Sequence, residues 1–328
     1  MSTSDAPRLR LGFFGAGAFG APTLDALHAR HDVRLVVTQP ARPAGRKRVL
    51  TPTPLADRAV ALGLPVEEAK DVNTHDSVDR VADLHLDASV VIAFGQKLGE
   101  PLIAAMGRLA VNLHGSLLPA YRGAAPIQRA VMNGETTAGV CVIGLAQRMD
   151  AGPIYASASL RVRPTETAGE LHDRLAALGP DAVLRVLDEL SGDRLRPVEQ
   201  DESLATRARK LSKADGTVDF DQPADVVRAR INGLNPWPGC RVRWTRAGEE
   251  LAKLILRRAE SASDDTLGDR TPPGVAVDDA GRIACADGVC RLLELQAPGK
   301  PTVSIEDFLR GRPILPGDRF ETIAQEKT

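Results

Sequence analysis

Apolar residues in the first half of the chain fall into short runs separated by stretches of helical spacing. Leu9 to Gly15 and Val33 to Thr38 read as strands, with a helix over roughly Phe19 to Arg30 between them. Helical spacing returns over Pro54 to Leu62 and Ser77 to Leu84. Ala88 to Phe94 is a continuous apolar run closed by Gly95, the pattern of a strand buried on both faces. Leu109 to His114 is the next strand and breaks at Gly115. A helix follows with Pro126 in its first turn and Asn133-Gly134 at its end, then a strand over Gly139 to Ala146. Thr167-Ala168-Gly169-Glu170 is a capping box opening a helix that pauses at Gly179-Pro180 and resumes to Leu190. This βαβα rhythm predicts a doubly wound, mostly parallel α/β sheet of the Rossmann-like kind.

From Ser191 the pattern changes. Gly192 to Leu211 is polar, charged and weakly periodic, as a surface linker would be. Beyond a short helix (Pro223 to Asn232), strand-like runs at Arg241 to Thr245, Leu251 to Arg257, Gly274 to Val277, Arg282 to Cys285 and Val289 to Leu295 predict a small β-barrel. The expected organisation is therefore a first domain over 1–191, a linker over 192–211 and a β-barrel domain over 212–328.

Composition narrows the function classes without choosing one. The 328 residues are ample for two cores, and 43% hydrophobic with 26% charged residues describes an ordinary globular protein. A formal charge of −1 gives no global attraction to nucleic acid, so a polyanionic partner would have to be held by local patches. Met1 to Arg10 is polar, without the apolar core of a signal peptide, and no run is long enough to span a bilayer. A cytoplasmic monomer with no membrane partner is expected. Four cysteines (Cys141, Cys240, Cys285, Cys290) form no Cys-x-x-Cys, so no metal site is expected. Cys285 and Cys290 could face each other across a hairpin, although reduced packing residues suit a cytoplasmic protein better.

Four stretches carry candidate chemistry. Asn112 and His114 lie on one face of their strand, since side chains alternate, and they stand where it ends, the edge at which open α/β sheets bind ligands. Asp150, in the turn Met149-Asp150-Ala151-Gly152-Pro153, follows the next strand. It can close on the same crevice, pair with His114 and favour its cationic form. Amide, imidazole and carboxylate make an acyl-transfer set without a Ser or Cys nucleophile. Arg42-Pro43-Ala44-Gly45-Arg46-Lys47-Arg48 puts four cations beside that crevice on an irregular, mobile loop, which is either solvated surface or a set of phosphate contacts. Gly15-Ala16-Gly17-Ala18-Phe19-Gly20 fits the dinucleotide fingerprint, but the second strand ends Val37-Thr38-Gln39-Pro40 without the acidic residue that binds ribose hydroxyls. Only Arg42 could meet a 2′-phosphate, so structural glycines are the preferred reading and no nicotinamide is expected.

The run Asn112-Leu113-His114-Gly115-Ser116-Leu117-Leu118-Pro119, with Arg122-Gly123-Ala124-Ala125-Pro126-Ile127-Gln128 and Asp150, resembles the core of the 10-formyltetrahydrofolate-dependent formyltransferases. The likeness extends over nearly the whole chain, through Thr38-Gln39-Pro40, Lys210-Leu211-Ser212-Lys213, Asn235-Pro236-Trp237-Pro238 and Leu295-Gln296-Ala297-Pro298-Gly299-Lys300. It departs at Gly15-Ala16-Gly17, where the family commonly has Gly-Thr-Pro, and at Arg148.

The resemblance implies that 10-formyltetrahydrofolate donates a formyl group to the α-amine of methionine esterified to initiator tRNA. Asn112 and protonated His114 would donate to the oxyanion, and Asp150 would hold His114 and help remove the amine proton through water. The pterin would lie against Phe94-Gly95 and the loop Ser116, Leu117, Leu118 and Pro119. The tRNA would meet Arg42, Arg46, Lys47 and Arg48, with Lys210, Lys213, Arg241 and Arg243 as candidates on an OB-like C-terminal barrel. A sugar-nucleotide amine or glycinamide ribonucleotide is the alternative acceptor. The basic loop and C-terminal domain speak against the glycinamide substrate. A non-catalytic RNA- or NADP-binding module is the alternative of a different class.

Overall fold

A computed structural model describes residues 7–45, 48–263 and 271–323. We retain 1–191, 192–211 and 212–328 as the proposed domain boundaries. By packing, the described residues form two compact units whose segments interleave along the chain. The first lies within Met1–Gly123, Gly139–Leu160 and His172–Arg207, and the second within Ala124–Ala138, Arg161–Leu171 and Ala208–Thr328.

The strands of the first half are β1 (Arg10–Gly15), β2 (Asp32–Thr38), β3 (Arg42–Ala44), β4 (Val49–Thr51), β5 (Val66–Glu68), β6 (Ala88–Ile92), β7 (Leu109–His114), β8 (Thr137–Gly144) and β9 (Ile154–Arg161). Seven of them form one sheet in the order β5-β2-β1-β6-β7-β8-β9. Pairing is parallel from β5 through β7, and β8 runs antiparallel to β7. Strand order reverses between β1 and β6, which places the ligand crevice of such a sheet beyond their carboxyl ends. Phe14, Val37, Val91, Phe94, Leu102 and Met106 pack one face of this unit, with Phe14 and Phe94 edge to face at 5.9 Å. Gly15 is required by a close approach, because a Cβ there would stand 2.7 Å from the Ile92 carbonyl.

Three features here differ from the expectation, the first being the short edge strand β5, which was not anticipated. The basic loop is a two-stranded antiparallel ribbon, β3 with β4, that turns at Gly45 with φ +66°. Charge dominated the reading of this stretch, yet Val49, Leu50 and Thr51 are strand formers and Gly45 supplies the turn. Arg46 and Lys47 lie outside the described residues. The edge strand β9 was not anticipated, because the small residues Ala156, Ser157, Ala158 and Ser159 give it no clear apolar alternation.

In the second unit, β10 (Cys240–Arg246), β11 (Glu249–Ala262), β12 (Arg282–Ala284), β13 (Val289–Gln296), β14 (Thr302–Ser304) and β15 (Arg319–Thr322) form an antiparallel sheet in the order β12-β13-β11-β10-β15, with β14 beside β13. Bridges Val275↔Arg319 and Ala276↔Ile283 join its two ends and curl it into a barrel. Trp244, Phe308, Phe320, Leu256 and Ile231 fill the interior. The 14-residue β11 bulges near Arg258, where the buried Asn232 amide exchanges two 2.9 Å hydrogen bonds with the Ala259 backbone and so replaces a missing rung.

The capping box forms as read. The Thr167 N–H donates to the Glu170 carboxylate at 2.9 Å and the Glu170 N–H donates to Thr167 Oγ1 at 3.3 Å. Arg258 also grips that carboxylate, at 2.6 and 2.9 Å, and together these bonds hold Glu170 down to about 2. Buried Asp318 accepts from Trp244 Nε1 and from Arg246. Burial alone would push its pKa up, but those donors draw it below the usual carboxylate range.

Candidate active site

β7 supplies the first two groups of the site. Asn112 pairs in register with Val91 of β6, one strand from the point where strand order reverses, and His114 extends past the last β6 partner. Asn112 is half-buried, and its amide has no hydrogen-bond partner among the described residues. Two N–H donors are therefore uncommitted at the carboxyl edge of the sheet.

His114 is 6% exposed. Its Nε2 lies 3.0 Å from the Tyr121 carbonyl, and Nδ1 lies 3.7 Å from Asp150 Oδ2. A carbonyl only accepts, so Nε2 carries a proton and Nδ1 is the nitrogen left to face the carboxylate. The Nδ1–Oδ2 gap is too long for a direct hydrogen bond. The imidazole and carboxylate face each other across that gap, while the Tyr121 carbonyl fixes the ring's other edge. Sequence alone gave no way to tell which nitrogen was free.

Asp150 reaches this place by a route that strand order does not suggest. β8 runs antiparallel to β7 and ends with Gly144 opposite Val111, away from His114. The loop after it must double back. It does so through a close approach: a Cβ on Gly152 would lie 1.9 Å from the Gly144 carbonyl oxygen, and the Gly144 N–H donates to Pro153 O at 2.9 Å. Asp150 itself has φ +54°, and its Oδ2 accepts from the Gly123 N–H at 2.8 Å.

The stretch expected to be linker contributes to this architecture. Thr206 accepts from the Tyr121 N–H through Oγ1 at 2.8 Å and from the Arg122 N–H through its carbonyl at 2.9 Å. Gln200 donates to the Asp150 and Gly152 carbonyls. Glu202 binds Arg122 at 2.9 Å and also Arg148, and these two guanidinium groups hold its carboxyl at about 2. Nothing in the sequence marked Gln200, Glu202 or Thr206, because polar residues in a non-periodic charged stretch look like solvated surface. Cys141 pairs with His114 across β7 and β8, but it is buried and burial raises its thiol pKa, so it is no nucleophile.

The residues expected to hold a pterin form two groups. The Phe94 side chain belongs to the core, while its carbonyl accepts from Gln39 Nε2 at 2.7 Å. Gly95 follows at φ +78°, and a Cβ there would meet that same Gln39 nitrogen at 2.6 Å. Ser116 Oγ donates to the Ala120 carbonyl at 2.6 Å and ties the loop to itself. Leu118 packs with Cys141, Ile143 and Ile154, and Leu117 covers Gly139, where a Cβ would stand 2.4 Å from its methyl group. Pro119 is half-buried, and its carbonyl accepts from the Thr206 N–H. Met149, next to Asp150, is exposed.

Two family descriptions match this architecture: "Formyl transferase" over residues 9–187 and "Formyl transferase, C-terminal domain" over 210–313. The chain belongs to the formyl transferase family. The chain is 39% identical over 314 residues to a protein named methionyl-tRNA formyltransferase from Roseobacter denitrificans, covering 95% of this chain and 99% of that one. A protein of the same name from Nitrobacter winogradskyi is 40% identical over 320 residues, covering 95% and 99%. An N-formyltransferase from Helicobacter canadensis, crystallised with folinic acid and dTDP-3-aminofucose, has the same fold. Its TM-score is 0.63 at 12% identity, over 88% of this chain and 98% of that one.

The basic residues of this formyltransferase chain divide between the two units. Arg42, on β3, donates to Gln39 Oε1, and Arg48 is exposed at φ +50°; both belong to the first unit. Lys210, Lys213 and Arg241 are exposed on the second unit without ion pairs among the described residues, whereas Arg243 is paired with Glu250 at 2.9 Å. Among the described residues, no group of three His, Cys, Asp or Glu could hold a metal ion, and no helix is long and apolar enough to cross a membrane.

Proposed function

We propose that this formyltransferase moves the formyl group of 10-formyltetrahydrofolate onto the α-amine of methionyl-initiator tRNA. The observation that carries the reading is 39–40% identity, over nearly the full length, to proteins of that name; it is supported by His114 facing Asp150 at 3.7 Å, with Asn112 two residues before His114 on β7. The amine attacks the formyl carbon and a tetrahedral oxyanion develops. The uncommitted Asn112 amide donates to it, and the cationic form of His114 donates from Nδ1, the edge not held by Tyr121. Asp150 lies 3.7 Å from that edge and receives the amine proton through a water. Collapse of the intermediate breaks the bond between the formyl carbon and N10, which takes up that proton through the same water, and leaves tetrahydrofolate and an N-formylmethionyl ester.

In this reading the pterin lies along the backbone at Phe94-Gly95 and the loop Ser116, Leu117, Leu118 and Pro119. The self-tied Ser116 loop and the absent Gly95 side chain suit backbone recognition of a flat ring. Arg42, Arg46, Lys47 and Arg48, with Lys210 and Lys213, contact tRNA phosphates in a cytoplasmic monomer. The test is acceptor choice. Purified protein with 10-formyltetrahydrofolate is offered methionyl-initiator tRNA, glycinamide ribonucleotide and an amino-sugar nucleotide in parallel. Formyl label is expected on the methionyl ester alone; label on either small acceptor instead contradicts the reading.

A further inference from the structure

The Asp150 turn is held from behind by a side chain from outside both the Asn/His strand and its neighbour. Gln200 Nε2 lies 2.9 Å from the Asp150 carbonyl and 2.7 Å from the Gly152 carbonyl. Its Oε1 receives Arg122 Nε at 3.0 Å and a terminal Arg122 nitrogen at 2.7 Å. The orientation of this carboxamide is therefore fixed by chemistry. Guanidinium only donates and carbonyls only accept, so a flipped amide would set donors against donors and acceptors against acceptors. Glu202 in turn holds Arg122 through both terminal nitrogens, at 2.9 and 3.1 Å.

The two carbonyls that Gln200 grips flank the part of the turn that most needs holding. Asp150 is a non-glycine residue at φ +54°, a conformation that persists only where its surroundings enforce it. The carboxylate leaving that backbone is aimed at His114 Nδ1. We propose that Gln200 is a positioning residue for formyl transfer, its carboxamide locking the backbone that points Asp150 at His114, with Arg122 and Glu202 orienting the carboxamide. This inference rests on the formyl-transfer reading above. It assigns to the connecting segment a part in catalysis without contact to either substrate.

A group that acts only by aiming another should alter turnover and leave binding alone. Gln200→Leu removes the donors and the acceptor. Gln200→Glu keeps an acceptor for Arg122 but sets a carboxylate oxygen against two carbonyls. Both variants are expected to lower kcat roughly 10–100-fold, as loss of an outer-shell partner does, with KM for folate and for tRNA unchanged and with a lowered thermal midpoint, because the Asp150 and Gly152 carbonyls lose their donor. In an Asp150→Ala background, adding Gln200→Leu is expected to cost nothing further, since the group being aimed is gone. Full turnover in both variants overturns the inference. So does a loss that stays multiplicative in the Asp150→Ala background, or one that appears as a raised KM with kcat unchanged. Wild-type protein in the same assay separates the two readings: without formyl transfer by wild type the function itself fails, whereas normal wild-type turnover beside unaffected variants rejects only the role of Gln200.

Discussion

His114→Ala is expected to lower kcat for formyl transfer by about 10³, within the range for losing a positioned proton-transfer group or oxyanion donor. Affinity for tRNA should not change, because the imidazole is buried between the Tyr121 carbonyl and Asp150 and makes no surface that a tRNA could touch. The same change leaves the Tyr121 carbonyl without its donor, so a loss of about 1–3 kcal/mol in stability should accompany it. Single-turnover kinetics, filter binding and thermal unfolding read the three effects separately. A variant that turns over normally would remove the imidazole from the mechanism.

Gly152→Ala should be nearly as damaging, although its side chain performs no chemistry. The added methyl would stand 1.9 Å from the Gly144 carbonyl oxygen, a backbone atom that cannot rotate away. The loop that brings Asp150 back across the sheet must then open by roughly an ångström, a displacement of the kind that costs about 10² in rate. Overpacking of this sort also costs about 1–3 kcal/mol. The expected signature is a fall in kcat with folate affinity retained. Unchanged kcat in a folded Gly152→Ala protein would mean that the turn has slack and that its position does not set the rate.

The legibility of this site in the sequence follows the physics of each part. Asn112 and His114 were readable because strand alternation and a terminating Gly115 fix both their face and their height in the sheet. The α/β order and the antiparallel C-terminal strands were readable for the same reason, as was the capping box at Thr167, whose chemistry is local. Asp150 was found by its place after a strand, but that argument was incomplete. β8 runs away from His114, and only the contact between Gly144 and Gly152, eight positions later, returns the carboxylate. Gln200 and Thr206 left no trace, since their partners are backbone groups some 50 and 85 positions away. The ribbon of β3 and β4 was hidden by its own charge, because a run of cations reads as solvated loop before it reads as strand.

The central claim is that donors at the edge of the sheet stabilise the charge that appears on the formyl oxygen during transfer, and Asn112 isolates that claim best. Its amide is committed to nothing else among the described residues, so removing it disturbs no other hydrogen bond. The decisive measurement is the single-turnover rate of formyl transfer by Asn112→Ala at saturating 10-formyltetrahydrofolate and methionyl-tRNA. A rate about 10²–10³ below wild type, with both substrates still bound at wild-type affinity, is the expected result. A wild-type rate would contradict the account.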